Sequence, residues 1–223
     1  MKEYLYNYYD ESRVKNERRK KILEEISPNL IKIGINNLTI KEIANEINIE
    51  RRTLYDYYPT KEDLVVDCAY VCMNELSQQY MKIAETLNLA NKNLDSKTRL
   101  RIIMKGIAKI INEKYDSLFN FITGFDVYYN HLDKDSNAYY RYDRVIKGFK
   151  TRNHYLKEIL EEVVEDYHVS FEINELIEIA EQSFHSYLAR ILVKQDNSKR
   201  YNIERIDHFI DIIVEGICFN PKQ

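Results

Sequence analysis

The chain has 223 residues, 44% of them hydrophobic and 31% charged, with a formal net charge of −3. That balance supports a buried core, and five Gly and three Pro are too few breakers for a strand-and-turn architecture, so an all-α fold is expected. No apolar run approaches the roughly 20 residues of a membrane span. The tyrosine-rich, charged segment Met1–Asp10 lacks signal-peptide character, so no membrane association and a cytoplasmic location are expected.

Positive charge is concentrated early. Residues 1–61 carry 12 Lys/Arg against 10 Asp/Glu, and residues 62–223 carry 21 against 26. Arg13, Lys15, Arg18, Arg19, Lys20 and Lys21 form a basic cluster with Glu17 as its one acid. Such a cluster suits phosphate contact or a solvated helix face. Ile22, Leu23, Ile26, Leu30 and Ile33 recur at helical spacing, and Gly34 is a natural stop. Pro28 removes a backbone donor inside that pattern, so a kink is expected near Glu24–Pro28.

Thr39-Ile40-Lys41-Glu42 reads as a capping box. It opens a short helix with Ile40, Ile43, Ala44 and Ile47 inward. Asn48 then tolerates the left-handed backbone of a tight turn. A second short helix is expected over 51–57, stopped by Pro59, and Thr60–Asp63 caps the next one. Two short helices joined this way, over 39–58, make a helix-turn-helix that reads the major groove of DNA. Ile43, Ala44, Ile47, Ile49 and Leu54 supply the apolar faces that keep such a pair rigid. Arg51, Arg52 and Tyr55 can reach base edges, and Thr53, Tyr57 and Lys61 fall where phosphates would lie. Lys61 also opens a helix, whose backbone amides favour an anion. An ordinary charged helical hairpin has the same periodicity.

The segment Ile22–Leu64 resembles the N-terminal domain of the tetracycline-repressor-like (TetR) family. The matching residues are Ile22-Leu23, Gly34, Leu38-Thr39-Ile40, Ile43-Ala44, Ile47-Asn48-Ile49, Thr53-Leu54-Tyr55, Tyr58 and Lys61-Glu62-Asp63-Leu64. Asn48 stands where the family usually has Gly, Glu50 where Ser is commonest, Tyr57 for a frequent His and Tyr58 for a frequent Phe. Pro28 is unusual in the first helix. The resemblance implies base contact by Lys41, Arg51, Arg52 and Tyr55, and phosphate contact by Thr39, Thr53, Tyr57 and Lys61. It further implies a repressor that binds a palindromic operator as a homodimer, and a helical C-terminal domain that takes a small effector. The corresponding domains are residues 1–65 and 66–223.

Further helices are expected at about 61–90, 97–113, 116–131, 137–166, 171–194 and 201–219, with Ser96, Ser136 and Ser170 as N-caps. Ile203, Ile206, Ile210, Ile213 and Ile217 make one stripe, and Ile173, Ile177, Ala180, Phe184, Leu188 and Ile191 another. Two such helices from each subunit could close a four-helix bundle, or both stripes could pack inside one subunit. The interface residues expected are Ile177, Phe184, Leu188, Ile206, Ile210 and Ile213. Aromatics are dense from 115 to 155. Phe121, Phe125, Asp126, Tyr129, Phe149 and Phe184 could enclose a small hydrophobic or aromatic effector or simply form core.

Cys68 and Cys72 share a helical face, more simply as buried thiols than as metal ligands. The five histidines are scattered, with no HExxH, P-loop, GxSxG or dinucleotide fingerprint. No catalytic residue, metal or cofactor is expected. The rival readings are control by a protein partner instead of an effector, an interaction protein that no longer reads DNA, and, least supported, an enzyme.

Overall fold

The structure is a computed structural model that describes residues 13–33, 39–143, 154–193 and 203–219. Those residues form ten α-helices: α1 Arg13–Ile33, α2 Ile40–Glu46, α3 Arg51–Tyr57, α4 Lys61–Ala90, α5 Ser96–Ile110, α6 Asp116–Tyr129, α7 Asn137–Arg141, α8 Lys157–Tyr167, α9 Ile173–Val193 and α10 Ile203–Ile217. Among the described residues there is no strand, and no helix is long and apolar enough to cross a membrane. The chain divides into two compact units, Met1–Leu76 with Ser117–Thr151, and Ser77–Asp116 with Arg152–Gln223.

In the first unit, α1 is one helix through position 28, so Pro28 does not end it; the expected stop at Gly34 lies outside the described residues. Its inward stripe is Ile22, Leu23 and Ile26, buried with Ile40, Ile43, Ala44, Leu54, Tyr58 and Leu64. Arg19 sits one turn before Ile22 and Leu23, and it too is buried. Cys68 and Cys72 lie in the same core. Burial pushes the Cys72 thiol up to about 12 and the Cys68 thiol well above its usual value. Among the described residues, no group of His, Cys, Asp and Glu could hold a metal ion.

The second unit is built on α5, whose buried face is Leu100, Ile103, Met104 and Ile107. It packs against α8 and α10, and α9 packs against both of those. Gly106 allows Leu87 of α4 to approach α5. A ladder of ion pairs joins α5 to α10: Lys97–Glu215, Arg101–Asp211, Arg101–Glu215 and Lys105–Asp211. Arg99 is buried beneath, paired with Glu162 of α8 and donating to Asn88 Oδ1 at 2.8 Å.

Four expectations need correction. Helices over 97–113 and 116–131 are not separated by a break, because a π-helical turn at Ile111–Tyr115 runs α5 into α6. A continuous helix over 137–166 does not form. His154–Leu156 lies outside any helix, and the Leu156 N–H donates to Glu181 Oε1 of α9 at 3.0 Å. The cap of α5 is Asp95, which accepts from the Thr98 amide, while Ser96 is its first helical residue and donates to Asp166. Helix α9 starts at Ile173, beyond Ser170. Ser136 does cap α7.

Asn48 has φ 51°, a left-handed value that Asn tolerates and Ala does not. Asn48→Ala should cost about 1 kcal/mol, lowering the melting temperature by about 2–4 °C. Asn48→Gly should leave the melting temperature unchanged or higher. A calorimetric scan of the three proteins reads both effects.

Candidate nucleic-acid interface

Helices of seven residues are not stable alone in water, so α2 and α3 depend on what holds their ends and inner faces. At the start of α2 the capping box is complete. The Thr39 hydroxyl accepts from the Glu42 amide at 3.3 Å, and the Thr39 N–H donates to Glu42 Oε2 at 2.7 Å. Those bonds from the Thr39 backbone and hydroxyl hold the Glu42 carboxyl below its usual range, and the charges of Lys61 and Lys41 add to the effect. The turn follows, with Asn48 N–H bonded to Asn45 O and Ile49 N–H to Ala44 O.

Ala44 is 1% exposed, and its small side chain allows α2 and α3 to approach closely. Ile43 and Leu54 are buried, while Ile47 and Ile49 are half-buried. The outer surface carries the polar groups. Thr39, Lys41, Arg51, Arg52 and Tyr55 are exposed, and Thr53, Tyr57 and Lys61 are half-buried. Arg51 Nη2 donates to the Tyr55 hydroxyl at 3.0 Å, and its guanidinium lies 5.3 Å from the Tyr55 ring centre. Two of the expected base-reading side chains are thus ordered against each other.

The far end of α3 is held by groups the sequence reading did not assign. Glu50 makes no side-chain cap at the start of α3. At its other end, Arg19 donates through Nε and Nη2 to the Tyr57 carbonyl, at 3.2 and 3.1 Å. This corrects its place in the phosphate-facing cluster: Arg19 is 4% exposed and bonds inward. Its spacing from Ile22, Leu23 and Ile26 was the available signal. Arg18 and Lys21 are exposed. Thr60 caps α4, accepting from the Asp63 amide and donating to Asp63 Oδ2.

Phe121, Phe125 and Tyr129 are buried in the first unit. There Tyr142 stacks on Tyr129 at 3.5 Å and lies 5.3 Å from Phe125, so the rings fill their own space. Phe184 belongs to the second unit. The Asp126 side chain and Phe149 lie outside what the structure describes. A different cluster occurs in the second unit, where the Tyr155 ring lies 4.9 Å from Tyr80 and 5.7 Å from His185. The Tyr155 hydroxyl is buried there without a hydrogen-bond partner. Glu181, bonded to His154 Nδ1 at 2.9 Å, lies near it.

The expected interface residues Ile177, Phe184, Leu188, Ile206 and Ile210 are 3% exposed or less within a single chain, and Ile213 is half-buried. Their periodicity marks packing between α9, α10 and their own unit. What remains open on α10 is Ile212, 71% exposed, with Ile213, Gly216 and the Phe209 ring that stacks on Tyr187 at 3.7 Å.

Residues 29–68 match the model of the family "Bacterial regulatory proteins, tetR family". Among solved structures, the fold resembles a TetR-family transcriptional regulator from Pectobacterium atrosepticum, with TM-score 0.66, 13% identity, and coverage of 95% of this chain and 100% of that one. It also resembles the TetR-family regulator PfmR from Thermus thermophilus, with TM-score 0.57, 17% identity, and coverage of 87% and 97%. A third likeness is the regulator FadR from Bacillus subtilis in complex with stearoyl-CoA, with TM-score 0.57, 13% identity, and coverage of 89% and 98%. No curated protein sequence matches the chain.

Proposed function

From its membership of the tetR family of bacterial regulatory proteins, we propose that this chain acts as a homodimeric repressor that binds a near-palindromic operator and is released by a small molecule. The DNA-binding domain is residues 1–65 and the regulatory domain 66–223. The observation that carries the reading is the two-sided recognition helix: Leu54 is fully buried while Arg51, Arg52 and Tyr55 face out. Arg51, Arg52, Tyr55 and Lys41 contact bases; Thr39, Thr53, Tyr57 and Lys61 contact phosphates. Two copies set their recognition helices about 34–36 Å apart, in successive major grooves.

The second copy meets the open side of α10, at Phe209, Ile212, Ile213 and Gly216. An exposed isoleucine beside a bare glycine permits close helix approach, and the buried stripes behind it keep both helices straight. The effector enters the second unit at Tyr80, Tyr155 and His185. A buried hydroxyl without a partner costs about 1–3 kcal/mol, and the Tyr155 hydroxyl is one such group beside the Tyr80 and His185 rings. It suits a small, neutral, planar molecule carrying an oxygen acceptor. That the similarly folded FadR structure holds stearoyl-CoA supports a ligand-taking role for the fold.

Selection of random duplex DNA on the purified protein should return a palindrome whose affinity falls steeply with salt. On that duplex, Arg51→Ala should cost about 1–3 kcal/mol and relax one base preference, whereas Lys61→Ala should weaken every sequence alike. No enrichment at low salt would overturn the DNA reading. Ile212→Lys should yield a folded monomer in sedimentation, with a palindrome bound no more tightly than a half-site; a dimer of unchanged strength would sink the α10 interface. In a screen of phenols and aromatic ketones, at least one should release the duplex from the wild type and not from Tyr155→Phe. Release by none would leave control by a protein partner in its place.

A further inference from the structure

Helix α7 has five residues and ends on Arg141. The Arg141 guanidinium reaches across 78 and 74 residues of sequence to two carboxylates of α4. Nη1 donates to Asp63 Oδ1 at 2.8 Å and Nη2 donates to Asp67 Oδ1. All three side chains are about nine-tenths buried, at 11%, 5% and 6% exposure. Burial pushes the Asp67 carboxyl well up, and the Asp63 carboxyl up, with the Arg19 charge opposing in both cases. Two acids one turn apart in a core are costly unless cations meet them with good geometry.

Their position makes them more than a core feature. Asp63 is also the residue that completes the Thr60 cap of α4. Thr60 follows Tyr58, the C-cap of the recognition helix, by two residues. Tyr58 is fully buried, with the Arg19 guanidinium 5.9 Å from its ring. The end of α3 thus runs directly into the first turn of α4, and that turn is gripped by Arg141. The grip is fixed from behind, because the next residue, Tyr142, is stacked on Tyr129 of α6 and packed on Phe125. A contiguous path runs from the aromatic face of α6 through Tyr142 and Arg141 to Asp63, Asp67 and the end of α3. All of it lies in the first unit.

We infer that Arg141 is a positioning residue for operator recognition. It holds the recognition helix in its DNA-reading pose, and displacement of α7 disengages that pose. Arg141 touches no DNA in this scheme. The inference rests on the reading of α3 as the DNA-reading helix, so its test has one readout that needs no DNA.

That readout is hydrogen exchange of a peptide covering 51–58, with 159–165 in α8 as the internal control. Arg141→Met should raise exchange in 51–58 and leave 159–165 unchanged. It should also weaken the selected duplex about tenfold, with a scrambled duplex of equal length affected less than twofold. Arg141→Lys, which keeps charge without the fork, should fall between. The triple variant Arg141→Met, Asp63→Asn, Asp67→Asn removes the two buried charges along with the arginine. It should recover the melting temperature while retaining the loss of selectivity, and it carries the test if Arg141→Met does not fold. Unchanged exchange in 51–58, or equal increases in both peptides with both duplexes weakened alike, would overturn the inference and leave Arg141 as a stabiliser of the core. If no duplex is ever selected, the DNA reading fails, and the exchange pattern still decides whether Arg141 positions α3.

Discussion

A seven-residue helix has only about three intrahelical hydrogen bonds to set against its lost chain entropy. The packing around α2 and α3 answers to that constraint. Helix α2 closes its own N-terminus through Thr39 and Glu42. Helix α3 has no side-chain cap of its own and borrows its order from elsewhere. Leu54 and Tyr58 anchor it to the core, and Arg19 satisfies the Tyr57 carbonyl that the helix leaves open. A guanidinium at a helix C-terminus also meets the negative end of the helix dipole. The outer surface of α3 can therefore be given over to Arg51, Arg52 and Tyr55, since none of them is needed to keep the helix formed.

The second unit solves a different problem. Its helices are longer, and their stability comes from the apolar stripes of α5, α8, α9 and α10. The ion pairs between α5 and α10 lie at the rim of that packing, partly exposed. Pairs of that kind add little stability each. Arg99 is different, being buried and bonded to both Asn88 and Glu162, so it ties three segments of the chain at one point.

The local signals in the sequence were the trustworthy ones. The Thr39–Glu42 box, the left-handed Asn48 and the Pro59 stop depend on residues within four positions of one another, and each gave the element found. Two local cap readings, Ser96 and Ser170, did not hold, and other features depend on distant residues. Nothing near Leu156 signals that Glu181, 25 residues on, will take the amide of the residue that caps α8. The Ile206–Ile210 stripe could not show whether its partner was this chain or another copy, because apolar spacing is the same in both cases; the burial of those residues is complete within one chain. Arg19 was grouped with its basic neighbours by composition, although its spacing from Ile22 and Leu23 placed it inward. The Asp63–Arg141–Asp67 link was not legible at all, since its partners are more than 70 residues apart.

The bond between Arg51 and the Tyr55 hydroxyl bears on how strictly such a surface discriminates. An arginine that waits in water gains a whole interaction from the right base and loses a whole interaction from the wrong one. Here the guanidinium has a resident acceptor to return to, so a guanine brought to it, as proposed, would compete with a phenol and only the difference between the two would be registered. The side-chain ordering precedes any docking, which would lower its entropic cost for every sequence. A reader built this way would hold on well but forgive substitutions at a base facing Arg51, and a set of related, imperfect sites is the kind of target it could serve.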